Sequence, residues 1–174
     1  MAVGGDISFE GVNEVLKAMR QASADIQRAT MQGLQKGGLA IIEDAKVNLR
    51  QNHSWVTGLL SASGKVNKVD DETLEVGFFD TKNQEGYAAY VEYGRRSGRF
   101  PPLQNLAAWA YKKFHLKDWR AANALGFQIA RKIAREGSTP HPFFGPAIEK
   151  NKENIVKRVQ AAVGDLLNKN DYGL

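Results

Sequence analysis

Two stretches of this chain, Tyr87-Ala88-Ala89-Tyr90-Val91-Glu92-Tyr93-Gly94 and Pro142-Phe143-Phe144-Gly145-Pro146-Ala147-Ile148, concentrate aromatic side chains around a long basic segment. Pro140-His141-Pro142 must run extended, because each proline fixes its own φ and pushes its predecessor out of helical space. The chain therefore leaves a folded body near Gly94, makes an excursion, and returns near Pro140. At 174 residues it is long enough to bury a core of its own. The expectation is a single domain over 1–174 with 95–140 as a helical insertion.

Charge is divided along the same line. From Arg95 to Glu136 there are ten basic residues (Arg95, Arg96, Arg99, Lys112, Lys113, Lys117, Arg120, Arg131, Lys132 and Arg135) against Asp118 and Glu136. That segment is +8 in a chain whose total is +5, which leaves the remainder at −3, with Asp70-Asp71-Glu72 and Glu75 as its densest acidic cluster. A field of this kind suits nucleic acid or an acidic protein surface at close range, since salt screens it beyond about 8 Å. Solvated helix faces are the plain alternative.

Periodicity supplies the elements. Val12, Val15, Leu16 and Met19 after Ser8 give a short amphipathic helix. From about Ser23 to Arg50, Ile26, Leu34, Gly38, Ile41, Ala45 and Leu49 share one face of a long helix. Gly33, Gly37 and Gly38 lie inside it, so it either breaks or is approached closely by another backbone, and close approach is preferred. Thr57 to Ser61 reads as a turn-like junction. Lys65 to Val69 and Thr73 to Phe78 alternate with period two around the polar link Asp70-Asp71-Glu72, an antiparallel hairpin. Tyr87 to Tyr93 is expected as a third strand.

Pro101-Pro102 starts a helix carrying Leu103, Leu106, Ala107, Ala110 and Phe114, and Asp118 caps a second, which buries Ala122, Gly126, Ile129 and Ile133 and ends at Gly137. Gly145-Pro146 opens a last helix with Ile148, Ile155, Val159 and Leu166 inward, and Asn168 to Leu174 reads as a frayed tail. The fold class expected is α+β: a small antiparallel sheet packed by a long N-terminal-half helix and a C-terminal helix, with an inserted basic helical hairpin.

No arrangement for chemistry emerges. There is no cysteine, which excludes disulfides and thiolate metal sites and fits folding in a reducing cytoplasm. His53, His115 and His141 lie far apart, with no metal-ligand spacing, nucleophile elbow or phosphate loop. Not an enzyme, no cofactor and no metal is the expectation. No apolar run approaches the roughly 18 residues of a membrane span, and the N-terminus lacks a leader pattern, so no membrane partner is expected. Glu92, set among tyrosines, is either an ordinary strand-edge acid or a buried one that requires a partner such as Arg95 or Arg96. Tyr87, Tyr90, Tyr93, Phe143 and Phe144 fill the core or anchor a subunit interface. With Glu92, Arg95, Arg96 and Arg99 they form the candidate interface set.

These residues, in order, resemble the putative tail-component family of lambdoid and other long-tailed bacteriophages, the tail-completion or head-to-tail joining proteins of the virion neck. The carriers are Thr57-Gly58-x-Leu60-x-x-Ser63, Val76-Gly77, Tyr87-Ala88-x-Tyr90-Val91-Glu92-Tyr93-Gly94, Gly98-Arg99-Phe100-Pro101-Pro102 with Leu106 and Trp109, Ile129-Ala130-Arg131-Lys132-Ile133, and Pro142-Phe143-Phe144-x-Pro146-Ala147. Two positions depart from the family pattern: Arg95 stands for its usual threonine, and Gly64 for an apolar residue. The resemblance implies a non-enzymatic structural virion protein, made in the host bacterial cytoplasm. Such a protein assembles with copies of itself as a ring, expected to be hexameric, beside other neck proteins such as a connector or stopper and a tail terminator or tail tube. The basic hairpin would meet the acidic part of a neighbouring copy, or touch passing DNA through phosphates. The alternative is a DNA-binding protein that uses 103–136 as a helix-turn-helix. Trp119 at the head of the second helix, and its few Asn, Gln and Ser, speak against base readout.

Overall fold

Ala24–Gln51 forms one continuous helix, α1, although three glycines lie within it. The reason is the partner helix α6, Phe144–Lys169, which runs antiparallel along it. A Cβ at Gly33 would stand 2.7 Å from the Cα of Val159, and one at Gly37 would stand 2.8 Å from the Ile155 side chain. Gly38 faces the other way, where a Cβ would meet Val76 at 2.8 Å and Val66 at 3.0 Å. The glycines thus let α1 be approached closely on two sides at once, and the helix survives their unfavourable propensity because tertiary packing outweighs it. The expectation of close approach holds, and so does the long helix. The computed structural model describes residues 24–52, 58–79 and 87–169. The amphipathic segment after Ser8 lies outside them.

The remaining elements are α2 (Leu59–Ala62), β1 (Gly64–Lys68), β2 (Leu74–Phe78), α3 (Tyr87–Tyr93), α4 (Leu103–Lys113) and α5 (Trp119–Glu136). Where a turn-like junction was expected over Thr57 to Ser61, Leu59–Ala62 closes into a single helical turn behind Gly58, and Thr57 lies outside the described residues. β1 and β2 pair antiparallel with Gly64 opposite Phe78, Val66 opposite Val76 and Lys68 opposite Leu74. Val66 and Val76 point at Gly38 of α1, whereas Lys65 and Asn67 face outward, the alternation expected of a sheet with one wet face. Gly64 also has its reason: a Cβ there would meet the Phe78 ring at 2.8 Å and Ile42 at 3.0 Å. Among the described residues Phe78, Phe143, Ile41 and Leu49 are the largest fully buried side chains, so the core lies where α1, the sheet and the start of α6 meet.

The protein is mostly helical with a small two-stranded sheet, broadly α+β. The third strand expected over Tyr87 to Tyr93 is instead the helix α3. Alternation of aromatic and small residues fitted a strand, but a helical turn puts Ala88 and Glu92, four apart, on one buried side and leaves Tyr90 and Tyr93 in water. Two alanines and a glutamate favour helix, and Gly94 at φ 72° stops it in the left-handed conformation common after a helix end.

Beyond Gly94 the chain crosses its own return path. The Arg95 and Ser138 backbones exchange two hydrogen bonds, of 3.2 and 2.8 Å, and the Val91 carbonyl accepts from His141 N–H at 2.8 Å. Gly94 and Gly137 (φ 80°) flank this bridge, and a Cβ on either would lie 2.4 or 2.3 Å from a carbonyl oxygen of the opposite strand. Past this neck α4 and α5 pack on each other far more than on anything else. Asp118 caps α5 by accepting Arg120 N–H at 2.9 Å, as expected. α6 begins at Phe144, ahead of the Gly145-Pro146 start expected for it, and continues to Lys169, into the stretch expected to fray.

Helix propensity alone says that alanine should stabilise at any helical glycine; packing makes the sign depend on place. Gly33→Ala should lower stability by about 1–3 kcal/mol, because backbone atoms of α6 cannot yield, while Gly164→Ala, where a Cβ meets nothing within 4 Å, should raise it by about 0.5–1 kcal/mol. Paired thermal melts check the opposed signs. Asp44 supplies a second outcome. Hydrogen bonds from Lys150 (2.7 Å) and Asn151 (2.6 Å) hold its carboxyl below the ordinary value near 3.8. A depressed carboxylate gives stability that is full above the unfolded value and lost as pH falls through the folded one. Between about pH 5 and 2, wild type should lose up to about 1 kcal/mol more than Asp44→Asn, the modest size set by exposure of the pair to water.

Candidate interaction surface

Glu92 is 5% exposed, and its carboxylate ends where α6 begins. One oxygen accepts the N–H groups of Phe143 (2.7 Å) and Phe144 (2.9 Å); the other accepts Gly145 N–H at 2.9 Å. These are orphan donors of a helix N-terminus, where the helix dipole also favours negative charge. A buried acid was expected to pair with Arg95 or Arg96; the helix start takes that place. Arg95 instead lies over the Tyr90 ring, 5.1 Å from its centroid, and donates to the Arg99 carbonyl at 2.9 Å. Asn48 and Asn52 fasten the same junction from α1, donating to the Phe143 and Pro142 carbonyls at 2.8 Å each.

The candidate interface set therefore divides. Phe143 and Phe144 are core residues, standing edge-on to Phe78 at 4.9 and 5.6 Å, and Glu92 is the cap between them and α3. Tyr87 packs against the core, and burial pushes its hydroxyl above the usual phenol range. Tyr90 and Tyr93 are exposed, Tyr93 at 69%, with Arg96 and Arg99 exposed and Arg95 half-buried nearby in sequence. Four of the nine thus belong to the fold, and five to its surface.

The larger exposed feature lies on α4 and α5, the basic hairpin expected to meet a neighbour or DNA, although none of the nine named candidate residues lies on these two helices. The two helices meet through small side chains: Ala107 and Ala110 against Ala122, Gly126 and Ala130, with Gly126 so close that a Cβ would stand 2.8 Å from the Ala107 backbone nitrogen. A seam this thin cannot cover bulky neighbours. Ile129 and Ile133, expected inside, are half-buried, and Phe114, expected on the inner side of α4, is 51% exposed. Phe100 and Phe127 lie against one another at 5.6 Å, and Tyr111 against Trp119 at 5.6 Å, each with much of its surface in water. The signal was available: six aromatic residues fall between Phe100 and Phe127, more than two short helices can enclose.

Charge follows the rings. On α5, Arg120, Phe127 and Arg131 recur at seven- and four-residue spacing along one exposed face, to the side of the alanine seam. Gly98 N–H donates to the Ala134 carbonyl at 2.7 Å, which lays Arg99 and Phe100 along that helix. Among the described residues Arg99, Arg120 and Arg131 make no ion pair. Arg135, by contrast, pairs with Glu136 and holds that carboxyl below its usual range. Among the described residues no group of His, Asp or Glu could hold a metal ion, and no helix is long and apolar enough to cross a membrane. The geometry offers a surface for contact.

If the helix start is the partner of Glu92, Glu92→Ala should cost about 2–4 kcal/mol, since two buried donors and a half-buried one lose their acceptor. Glu92→Gln, which keeps one acceptor oxygen but turns an amide NH2 toward donors, should cost about half as much, and Arg95→Ala less than about 1 kcal/mol. Denaturant titration of the three variants would reject the cap if Arg95→Ala proved the costliest. The chain matches no family model, no curated protein and no solved structure.

Proposed function

We propose that the protein is a structural subunit of a multi-chain assembly, of the kind that forms a ring with its own copies at the neck of a long-tailed phage virion and joins head to tail. The observation that carries this reading is the arm that runs from Arg95 through α4 and α5 to Glu136: a +8 segment, with aromatic rings its own packing cannot cover, on a chain otherwise net −3. Large apolar groups kept in water beside unpaired guanidinium groups are costly for an isolated chain and useful at an interface, where aromatic residues and arginine are the commonest anchors. Opposite charge on two parts of one chain suits head-to-tail contacts, which close into rings. Neighbouring neck proteins, a connector or stopper on one side and a tail terminator or tube on the other, are the further partners in this reading. Its catalytic role is none.

The DNA-binding alternative draws on the exposed Arg120, Arg131 and Lys132 of α5. Phosphate contacts would leave Phe100, Phe127 and Trp119 uncovered, and so the assembly reading accounts for more of the surface.

The neck supplies a test. Arg95 and Ser138 form a pair that exchanges both backbone hydrogen bonds, the geometry a two-residue hairpin turn can close. Replacing residues 96–137 by Asn-Gly should therefore leave a folded body whose melting temperature lies within about 5 °C of the full chain. Native mass spectrometry should then find oligomers of the full chain, weakened by high salt, and only monomers of the shortened one. A full chain that stays monomeric at millimolar concentration and binds DNA with a steep salt dependence would overturn the assembly reading in favour of the alternative.

A further inference from the structure

The arm's ring-and-arginine strip has a counterpart at the far end of the sheet. Between β1 and β2 the chain turns through Val69, Asp70, Asp71 and Glu72, all exposed, with Val69 61% exposed. The turn is stiffened from within: Val69 N–H donates to the Thr73 carbonyl at 3.0 Å, and the Asp70 carboxylate accepts Glu72 N–H at 2.8 Å, which holds the Asp70 carboxyl below its usual range. Lys68 pairs with Asp71, so the five residues from Lys68 to Glu72 carry three acids and one base. The tip is thus a rigid, net-acidic knuckle with an uncovered aliphatic side chain.

The strip on the arm is its converse. Phe100 and Phe127, 48% and 49% exposed, form an apolar floor. Arg99 adjoins Phe100, and Arg120 and Arg131 stand before and after Phe127 on the same helical face. One surface presents apolar rings within a rim of positive charge; the other presents an apolar side chain among negative charge. Both occur in every copy of the chain, so a contact between them joins copies head to tail without using up either end.

We propose that the Phe100–Phe127 strip, with Arg99, Arg120 and Arg131, seats the acidic β-hairpin tip, Val69 to Glu72, of a second copy of this chain. The inference rests on the assembly reading above and names the contact by which copies meet. Val69 covers the rings, and Asp71 and Glu72 face the guanidinium groups. Asp70 keeps the turn in shape, since its carboxylate is committed to the backbone.

Charge exchange tests it in the full-length chain. Arm variant Arg120→Glu/Arg131→Glu and tip variant Asp71→Lys/Glu72→Lys alter only exposed side chains; Asp70 is left in place, and unchanged circular dichroism and melting temperature establish folding. Each variant alone should self-associate at least about tenfold more weakly than wild type by sedimentation velocity, because like charges then face each other. Mixed in equal amounts they should recover association, because each arm now meets a tip of opposite sign on the other variant. Recovery on mixing, absent for either variant alone, is the expected result. If wild type associates but the variants associate equally well, or mixing restores nothing, the contact is overturned while assembly through another surface stands. If wild type does not associate even at millimolar concentration, both fail. Should the arm variant lose only binding to a DNA oligonucleotide, with self-association intact, the strip is a nucleic-acid surface and the proposal is wrong.

Discussion

The Glu92 carboxylate, buried and surrounded by the first backbone N–H groups of α6, is the interaction on which the rest of the arrangement depends. An isolated carboxylate in such a place costs several kcal/mol of lost hydration. Three charge-assisted hydrogen bonds, each contributing about 1.5–3 kcal/mol, together with the positive end of a 26-residue helix, offset that cost without any cationic side chain. The geometry tolerates little variation: a Cβ at Gly145 would lie 3.0 Å from the Glu92 Oε1, so the first turn of α6 must be bare where the acid enters. By joining α3 to α6 across the connector Pro140-His141-Pro142, the cap brings together the two strands of the neck. The position of the arm on the body follows from it.

Small residues do opposite work in the two halves of the molecule. In the body, Gly33, Gly37 and Gly38 draw α6 and the sheet against α1, and the space around them is closed by Ile41, Leu49, Phe78 and Phe143. In the arm, Gly126 and four alanines draw α4 against α5, but among the described residues no third layer covers the larger side chains beside the seam. A helix pair has one interior and two flanks, and domains are normally stable when such flanks meet another layer. The body has its layers. The arm has one, with Phe100, Tyr111, Phe114, Trp119 and Phe127 left on its outside.

Much of this was legible in the residues. α1, the β-hairpin, both arm helices with their Asp118 and Gly137 boundaries, and the extended prolines all follow from periodicity and caps that local sequence encodes. α3 did not, although its stop signal was present: Gly94 after Ala88, Ala89 and Glu92 is as good a helix end as the tyrosines are a strand. What decides between them is the need to put Glu92 at the start of α6, a contact spanning more than fifty residues that no local pattern contains. The candidate surface was half legible for the same reason. Aromatic density marked Phe143 and Phe144 as readily as Tyr90 and Tyr93, yet only packing against Phe78 separates core rings from surface rings. The rings of the arm are exposed because the seam between α4 and α5 is made of alanine and glycine, too thin to cover them.

That seam also constrains what the arm can serve. A half-exposed aromatic ring leaves about 100 Å² in water, worth about 2–3 kcal/mol if covered, and several such rings lie on two short helices. Phosphate oxygens satisfy guanidinium groups but cover no apolar area, so a duplex backbone would use Arg120 and Arg131 and ignore Phe127 between them. Solvent alone satisfies the charges and leaves every ring as it is. A folded surface that carries both carboxylates and an apolar projection satisfies both kinds of group at once, and its charge adds selectivity against the basic arms of other copies. The interleaving of ring and guanidinium at seven- and four-residue spacing on α5 is therefore the physical reason to look for a protein surface opposite it.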